Sequence, residues 1–283
     1  MGADSVRVVD AAVVIPVVNQ WRYTRRCVER VLAGDVRPAA LVVIDNGSSD
    51  GTAQRLRSYR HVQVIRNEDN RGCAAAWNQG VRETRSAWVA FVNNDVAVSP
   101  SWLQGLLECA EADALDIVSP AMREGALDYD LDTFSQRFVG RARGQLRRGI
   151  ANGACFLVRR AVFDAVGSFD ENFRFGQYED EDFFRRAACA GFRLGTTGRA
   201  FVHHYGSVTQ SALRRSAGTP PYEERNRAYF RRKWNLTWWK RLALRWKANG
   251  CSALWRAKET LLCGHTLYGQ RGSPARAPHA ERP

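Results

Sequence analysis

The first half of the chain alternates short apolar runs with longer amphipathic stretches, and this alternation restricts the fold more than any other feature. Apolar runs of this kind indicate buried strands, and the stretches between them have helical length and pattern. We predict strands at Ala12–Pro16, Leu41–Ile44, Val62–Ile65, Trp88–Val92 and Ala154–Val158, and helices at Thr24–Leu32, Thr52–Ser58, Cys73–Thr84 and Trp102–Ala110. Successive β-α units favour an α/β fold with a mostly parallel sheet flanked by helices. Residues 120–150 lose the alternation and are expected to form polar loops.

Composition places the chain among globular proteins. Its 283 residues are 45% apolar and 11% aromatic, which allows one sizeable core and an appendage. No apolar run approaches the ~18 residues of a membrane span, and the N-terminus lacks a basic region followed by an apolar one. We therefore expect a cytoplasmic protein. The seven cysteines include no Cys-x-x-Cys pair, which indicates reduced thiols rather than a disulfide framework or a zinc site.

The net charge of +13 is concentrated towards the C-terminus. Residues 212–283 hold 16 Lys and Arg against 4 Asp and Glu, a net charge of +12, together with five of the nine tryptophans. This change in composition predicts a boundary near residue 212. We expect a main domain over residues 1–211, a basic, Trp-rich helical extension over 212–263, and a disordered tail over 264–283, which is rich in Gly, Pro and Arg.

From Lys233 onward, large apolar side chains recur every four residues. Trp234, Trp238, Leu242 and Trp246 are interspersed with Lys and Arg, a composition typical of a helix that lies on an anionic membrane surface. A stripe of this kind also suits a helix that packs on its own domain. The sequence leaves both interpretations open.

Four consecutive carboxylates, Glu179 to Asp182, lie between aromatic residues. Because the aromatic neighbours exclude water, some of these carboxylates should be partly buried, which raises the pKa of a carboxyl group and makes it a better base. Another acid, Asp95, follows the fourth predicted strand and should lie at the carboxyl edge of the sheet. Two separate acidic sites suggest metal-assisted chemistry with a separate general base.

The polar segment 45–52 directly follows the second predicted strand. Its Asp, Asn, Gly and Ser residues suit a turn that caps the next helix. The same position in a parallel sheet also suits a ligand, with Asp45 accepting hydrogen bonds from it. The residues alone favour neither interpretation. A dinucleotide fold is disfavoured, because no Gly-x-Gly-x-x-Gly segment opens a helix after the first strand.

Eight short segments in order over residues 11–210 resemble the inverting glycosyltransferases of family 2, whose Rossmann-like fold is named GT-A. They are Val13–Asn19, Val43–Thr52, Asn70–Gly80, Val92–Asp95, Gly153–Arg160, Val166–Glu171, Glu179–Asp182 and Val202–His204. The resemblance implies a GT-A catalytic domain that transfers a sugar from a UDP- or dTDP-linked donor to a hydroxyl of a glycan or lipid-linked acceptor. Asn93 stands where the family's metal motif has its first Asp. In this respect the chain is similar to members that transfer rhamnose to surface polysaccharides.

The resemblance also implies roles for single residues. Donor binding is implied for Pro16, Val18, Asn19, Asp45, Arg71, Gly72, Asn78, Asn93, Asn94 and Gly153. Asp95 and His204 would bind a divalent ion, Mn²⁺ or Mg²⁺, and an imidazole ligand favours Mn²⁺. Since His203 and His204 follow an apolar strand, their rings should point to opposite sides, so that at most one faces the ion.

The resemblance implies that three neighbouring acids take part in catalysis. Asp180 matches the family's general base, and Glu179 is expected to orient the acceptor or the loop. Asp182 is either a further catalytic carboxylate or the N-cap of a helix that begins at Phe183.

Two rival classes of protein remain open. A nucleic-acid-binding protein would use the basic tail but would leave the acidic sites unexplained, because carboxylates repel phosphate. A nucleotidyltransferase would need a basic, Gly-rich triphosphate loop, and the sequence contains none. We expect no nucleic-acid partner.

Overall fold

The computed structural model describes residues 6–206, 208 and 221–269. The strands are β1 (Val8–Val17), β2 (Arg37–Asn46), β3 (Gln63–Asn67), β4 (Trp88–Val92), β5 (Val96–Val98), β6 (Ile117–Glu124), β7 (Leu146–Arg148), β8 (Cys155–Arg159), β9 (Leu194–His204) and β10 (Tyr268–Gly269). The helices are α1 (Trp21–Leu32), α2 (Thr52–Leu56), α3 (Cys73–Arg82), α4 (Trp102–Ala112), α5 (Leu131–Ala142), α6 (Arg160–Val166), α7 (Glu179–Cys189), α8 (Pro221–Lys233) and α9 (Trp238–Cys263). Each strand and helix predicted before residue 120, and the strand predicted at 154–158, overlaps one of these elements.

The strands of the described residues form one mixed sheet in the order β3-β2-β1-β4-β8-β6-β9-β5, with β7 beside β9 and β10 beside β6. β1 pairs in parallel with both β2 and β4. β8 runs antiparallel between β4 and β6. Parallel strands end at the same edge of a sheet, so the loops that follow β1, β2 and β4 meet there. The predicted α/β fold, with a mostly parallel sheet and a helical C-terminal extension, is confirmed.

The core occupies both faces of the sheet. On β1, the buried side chains of Val13 and Ile15 join one cluster with α1 and α4. Val14 joins the cluster on the other face, with Trp77 of α3 and Phe183 of α7. This division follows from the alternation of side chains along a strand. Each fully buried Val, Ile or Phe side chain stabilises the fold by about 1.5–3 kcal/mol.

Gly80 allows α3 to lie directly against β1. A Cβ atom at this position would lie only 2.3 Å from Val14 Cγ1, so any larger residue would displace the helix or the strand. The close contact fixes α3 over the carboxyl half of β1. It thereby places Trp77 and Cys73 of α3 next to the cavity described below.

The prediction that residues 120–150 form polar loops is wrong. The segment continues β6, forms α5 and ends in β7. Asp130 caps α5 by accepting a hydrogen bond from Thr133 N at 2.8 Å, and Leu131 and Phe138 are buried. The apolar residues of α5 recur on one face only, so the polar residues of its outer face conceal the pattern when the segment is judged by average polarity.

The C-terminal extension returns to the sheet. The expected disorder of residues 264–283 is wrong for residues 264–269, because β10 pairs with β6 and Leu267 is buried. Arg147 holds Glu259 of α9 through two buried hydrogen bonds of 2.6 and 2.7 Å, and Glu259 also accepts one from Leu267 N at 2.7 Å. This buried ion pair, rather than a long apolar run, anchors the segment. An ion pair between residues far apart in the sequence cannot be recognised from composition. Residues 270–283 and the predicted boundary near 212 lie outside the described residues.

The predicted Trp stripe is divided between two environments. Trp234 precedes α9, is half-buried and donates a hydrogen bond from Nε1 to Asp182 Oδ1 at 3.0 Å. Trp238, Leu242 and Trp246 are exposed on α9. No helix formed by the described residues combines the length and apolar character that crossing a membrane requires.

Candidate active site

A cavity of about 410 Å³ opens at the edge of the sheet where β1, β4, β6 and β9 end. Its lining includes Pro16, Val17, Val18, Asn46, Asn70, Cys73, Trp77, Asn93, Asn94, Asp95, Met122, Glu124, Asn152, Gly153, Ala154, Phe175, Gly176, Gln177, Glu179, Asp180, His204 and Tyr268. Nine of the residues predicted for the site therefore meet at one cavity: Pro16, Val18, Asn93, Asn94, Asp95, Gly153, Glu179, Asp180 and His204.

Asp45 lies at the end of β2, beside the part of the cavity formed by β1. Its side chain is fully buried, and Oδ1 accepts a hydrogen bond from Ser48 N at 3.1 Å. Oδ2 is buried without a hydrogen-bond partner among the described residues, and the nearest cation, Arg66 Nε, is 3.9 Å away. A buried carboxylate oxygen without a partner is costly, so this atom is suited to accept a hydrogen bond from a ligand.

Asn19 supports the loop that follows Asp45. Its Oδ1 accepts hydrogen bonds from Ser49 N at 2.8 Å and Asp50 N at 3.2 Å, and its own N–H donates to Ser48 Oγ at 2.7 Å. Asn19 itself has φ 55°, a conformation that Asn tolerates better than most residues. The structure therefore uses the Asn19 side chain to join two loops at the cavity rim, rather than to line the cavity.

Asp95 and His204 form a pair in the lining of the cavity. His204 Nε2 lies 3.3 Å from Asp95 Oδ1, and Asp95 Oδ2 accepts a hydrogen bond from Val208 N at 2.9 Å. Burial opposes ionisation of Asp95, but the hydrogen bond and charge of His204 and the Val208 amide outweigh it and lower the Asp95 pKa. Asp95 is therefore a carboxylate at neutral pH despite being buried.

This pair fits a divalent ion. Two ligands that each lie about 2.1 Å from one ion at roughly a right angle are about 3 Å apart, close to the separation of Asp95 Oδ1 and His204 Nε2. Within the described residues, no group of three or more His, Cys, Asp and Glu side chains could hold a metal ion. An ion bound here would therefore take its remaining ligands from substrate oxygens and water.

His203 points away from this pair, as the alternation along β9 predicts. Its ring nitrogens lie 2.8 Å from Tyr129 Oη and 3.0 Å from Gly125 O. Burial lowers the pKa of His203 to about 4, so the ring is neutral at physiological pH. His203 is a core residue, and only His204 faces the cavity.

Glu179 and Asp180 form the first turn of α7 and line the cavity. Burial, followed by the charge of Asp180, raises the pKa of Glu179 to about 8, and Glu179 Oε2 has no hydrogen-bond partner in the described part of the chain. Burial also raises the pKa of Asp180. The pKa values of both adjacent groups are therefore raised, so the pair takes up protons nearer to neutrality than free carboxyl groups do.

Gly153 touches the Asp180 carboxylate. A Cβ atom at Gly153 would lie 1.8 Å from Asp180 Oδ2, closer than any two such atoms can approach. Only glycine therefore permits the observed position of Asp180. Gly153 was predicted to bind the donor, and it lines the cavity in contact with the predicted base.

The prediction that Asp182 caps a helix is wrong, because α7 begins at Glu179 and its N-cap residue is Tyr178. Asp182 is fully buried and does not line the cavity. Its carboxylate pairs with Arg186 Nε at 2.9 Å and with Lys233 Nζ at 2.9 Å. These contacts make Asp182 a structural anchor between α7 and α8, and they oppose the predicted catalytic role.

The loop before α7 has a strained backbone. Phe175, Gln177 and Tyr178 have φ values of 64°, 77° and 74°, and Gly176 between them has φ 146°. A residue other than glycine in this conformation costs about 1–2 kcal/mol. Phe175, Gly176 and Gln177 line the cavity next to Glu179 and Asp180. Strain is therefore concentrated beside the two carboxylates.

Five predicted donor-binding residues lie outside the lining, namely Asn19, Asp45, Arg71, Gly72 and Asn78. Asn78 is buried, and its amide bonds Phe169 N and Phe169 O at 2.9 Å and Glu171 at 2.8 Å. Arg71 is exposed, and a Cβ atom at Gly72 would lie 2.8 Å from Phe175 N. Asn78 and Gly72 thus position loops around the cavity, through contacts with residues far away in the sequence.

Sequence reasoning missed several lining residues. Met122 and Glu124 lie in the segment that was expected to be a loop, and Tyr268 lies in the expected disordered tail. Tyr268 Oη lies 3.2 Å from Glu124 Oε2. The apolar face of α5 would have indicated an ordered region after residue 120, but nothing local to Tyr268 indicates that it reaches the cavity.

Comparison with known proteins gives consistent results. The family model described as Glycosyl transferase family 2 matches residues 12–167. The N-acetylglucosaminyl-diphospho-decaprenol L-rhamnosyltransferase of Mycobacterium tuberculosis is 28% identical, over 85% of this chain and 91% of that protein. The glycosyltransferase AglE of Haloferax volcanii is 25% identical, over 65% of this chain and 62% of its own length.

A solved structure shares the fold. The mannosyltransferase PcManGT of Pyrobaculum calidifontis, in complex with GDP-Man and Mn²⁺, aligns with a TM-score of 0.57 and 17% identity. The alignment covers 74% of this chain and 61% of that chain. The chain therefore spans less than two thirds of the length of both this protein and AglE.

We predict that Glu179→Gln stabilises the protein, and more so as the pH rises. The folded pKa of Glu179, about 8, exceeds its ordinary value of 4.5, so this group weakens the folded state progressively between those two values. Glutamine removes that penalty, and we expect a gain of about 1–3 kcal/mol near pH 8 and almost none near pH 5. Thermal unfolding across this range is the measurement. The control is Glu68→Gln, which removes an exposed carboxylate, and a gain independent of pH would contradict the assigned burial.

Proposed function

This chain belongs to glycosyl transferase family 2, and we propose that it transfers a sugar from a UDP- or dTDP-linked donor to an acceptor hydroxyl with inversion at the anomeric carbon. One observation carries the proposal: the cavity holds an ionised carboxylate beside an imidazole, Asp95 and His204, and a separate carboxyl pair, the buried Glu179 and the partly exposed Asp180. The first pair suits a divalent ion with a diphosphate, and the second suits a general base.

The donor's nucleoside would occupy the end of the cavity formed by β1 and β2. Pro16 and Val18 provide backbone and apolar surface there, and the buried Asp45 Oδ2, which lies outside the lining, has no hydrogen-bond partner among the described residues. The N3–H group of uracil or thymine is a suitable donor for such a carboxylate. A single acceptor is compatible with N–H donors of other bases too, so the choice of a UDP- or dTDP-linked donor rests on the family resemblance.

Asp95 and His204 would hold Mn²⁺ or Mg²⁺ together with the diphosphate oxygens of the donor. When bound, such an ion supplies the positive charge that stabilises the departing nucleoside diphosphate. Asn93 lines the cavity two residues before Asp95, and its N–H donates to Ala154 O at 2.9 Å. Because Asn93 carries no charge, Asp95 remains the main anionic ligand of this element.

Asp180 would act as the base. The acceptor oxygen forms a bond with the anomeric carbon, the bond from that carbon to the diphosphate oxygen breaks, and the hydroxyl proton passes to Asp180. Glu179, whose pKa is raised to about 8, holds a proton more readily than a free carboxyl group does, and Asp180 is the member of the pair that matches the family's base. The raised pKa of Asp180 brings it towards the range in which a carboxylate accepts a proton effectively.

The acceptor is proposed to be a glycan or lipid-linked sugar in surface polysaccharide synthesis. Support comes from the printed name of the mycobacterial relative, which is a rhamnosyltransferase acting on a sugar diphospho-decaprenol, and which this chain matches over 85% of its length. A lipid-linked acceptor requires that the enzyme work at a membrane surface.

The outer face of α9 suits an anionic membrane surface. Trp239, Trp246 and Leu254 are 72%, 75% and 73% exposed, whereas Glu259 and Cys263 on the other face are buried against the domain. α9 carries six Lys and Arg residues and one Glu. Exposed tryptophans with a surplus of basic residues fit the interface of anionic lipids. We propose peripheral attachment at the inner face of the membrane.

Asp180→Asn should abolish sugar transfer while leaving donor affinity within about twofold of the wild type. The amide keeps the shape of the side chain but cannot accept a proton, and loss of a general base typically lowers the rate by about 10²–10⁴-fold. Single-turnover transfer and calorimetric donor binding are the measurements. Glu181→Gln, in the same helical turn but outside the cavity lining, is the control. Normal transfer by Asp180→Asn would refute the assignment of the base.

Removal of divalent metal should weaken the binding of UDP or dTDP at least tenfold, because the diphosphate would then face Asp95 unneutralised. Calorimetry with and without EDTA measures this effect. Asp95→Ala should bind nucleotide with little dependence on metal. Equal affinity of the wild-type protein with and without metal would exclude the proposed role of Asp95.

Replacing Trp239, Trp246 and Leu254 together with Ser should reduce binding to vesicles that contain anionic lipid by about tenfold or more. Nucleotide affinity should remain unchanged, because none of these side chains lines the cavity. Co-sedimentation with anionic and neutral vesicles is the assay. Val8→Ser removes a side chain that is 60% exposed elsewhere and serves as the control. Wild-type vesicle binding by the triple variant would exclude this face.

A further inference from the structure

Helix α8 contacts both the strained loop before α7 and the first turns of α7 itself. We infer that α8, through Asn226 and Lys233, positions the general base, so that both are positioning residues for the transfer step. The inference rests on the proposed role of Asp180. It concerns a helix that lies beyond residues 12–167, the part matched by the family model.

Asn226 binds the backbone of the loop from inside the protein. It is 2% exposed, and its Nδ2 donates to Arg174 O at 2.9 Å and to Gly176 O at 2.8 Å. Its Oδ1 accepts a hydrogen bond from Arg174 N at 3.1 Å, and Gln177 O lies 3.4 Å from Nδ2. One side chain thus satisfies backbone groups of three residues in a row of four, which few contacts other than a buried amide can achieve.

These contacts hold a backbone that would otherwise relax. Phe175, Gln177 and Tyr178 all have positive φ values, and a conformation of this kind persists only where the surroundings enforce it. The loop leads directly into Glu179 and Asp180. Any relaxation of residues 175–178 would therefore move the start of α7 and, with it, the carboxylate of the base.

Lys233 holds α7 at Asp182, about half a helical turn beyond Asp180. Its Nζ lies 2.9 Å from Asp182 Oδ1 and 2.6 Å from Asp170 Oδ2. Trp234 Nε1 donates to the same Asp182 oxygen, and Arg186 Nε pairs with the other. Three partners, Lys233, Trp234 and Arg186, therefore surround the buried carboxylate of Asp182, two residues beyond Asp180, which leaves α7 little freedom to rotate or slide.

Apolar contacts alone would attach α8 without fixing α7 so closely. Phe230 of α8 is buried against Phe173 and Tyr178, with ring centroids 6.3 and 5.1 Å apart. Contacts between rings tolerate small shifts, whereas hydrogen bonds and ion pairs are satisfied only in one arrangement. The polar contacts of Asn226 and Lys233 therefore set the position, and the rings supply most of the attachment.

The inference predicts a specific kinetic defect. Asn226→Asp keeps the size of the side chain but replaces the donor that faces the loop carbonyls. We expect the single-turnover rate to fall about ten- to a hundredfold, the cost of misplacing a reacting group by roughly 1 Å. Donor affinity should stay within about twofold, because Asn226 lies outside the cavity lining.

A double variant separates positioning from a general loss of stability. If Asn226 acts through Asp180, Asn226→Asp should lower the residual rate of Asp180→Asn by less than about twofold, since the base is already absent. Leu106→Ala in α4 is the control for stability, because Leu106 packs on the other sheet face and its loss should leave the rate of the folded protein unchanged. Lys233→Met is a second variant, and it should show the same split between rate and donor affinity.

The outcomes distinguish this inference from the proposed function. Normal transfer by Asp180→Asn would refute the base itself. An inactive Asp180→Asn together with normal rates for folded Asn226→Asp or Lys233→Met would refute the positioning role alone. Equal losses in the wild-type and Asp180→Asn backgrounds would also overturn it. If Asn226→Asp does not fold, Lys233→Met decides the question by the same measurements.

Discussion

Parallel pairing of β1 with both β2 and β4 is the constraint on which the rest of the structure depends. It brings the ends of three strands to one edge of the sheet, with Val17 beside Asp45 in the register of β1 and β2. The loops that follow these strands therefore lie around a common cavity. Gly80 contributes to this arrangement, because it allows α3 to lie against Val14 and to place Trp77 at the cavity wall.

The cavity keeps its buried acids in different protonation states by giving them different neighbours. Asp95 has an imidazole and a backbone N–H within reach, and its pKa is lowered. Glu179 has an unpartnered oxygen in the described residues and another carboxyl group beside it, and its pKa is raised. The first environment suits a carboxylate that binds a cation, and the second suits a pair that exchanges a proton. Asp182, although buried, is neutralised by Arg186 and Lys233 and serves to join α7 to α8.

The C-terminal extension is part of the enzyme's working structure in three ways. α8 holds the loop and helix that carry Glu179 and Asp180. The buried pair of Arg147 and Glu259 anchors α9, and the chain after α9 returns to place Tyr268 at the cavity. The outer face of α9 remains exposed, with Trp239 and Trp246 pointing away from the domain. One extension thus connects a proposed membrane surface with the wall of the site.

The sequence by itself determined the α/β order, most of the elements before residue 120, and the position of Asp95 at the carboxyl edge, because periodicity and strand ends depend on residues close together in the chain. The resemblance to the family indicated the proposed roles of Asp95, His204 and Asp180. Only the tertiary structure decided that Asp182 and Asn78 support the site without lining it, and that Tyr268 lines it. The partners of these side chains are distant in sequence: Trp234 lies 52 residues from Asp182, and Phe169 lies 91 residues from Asn78. Contacts of that kind arise from packing, and no local pattern encodes them.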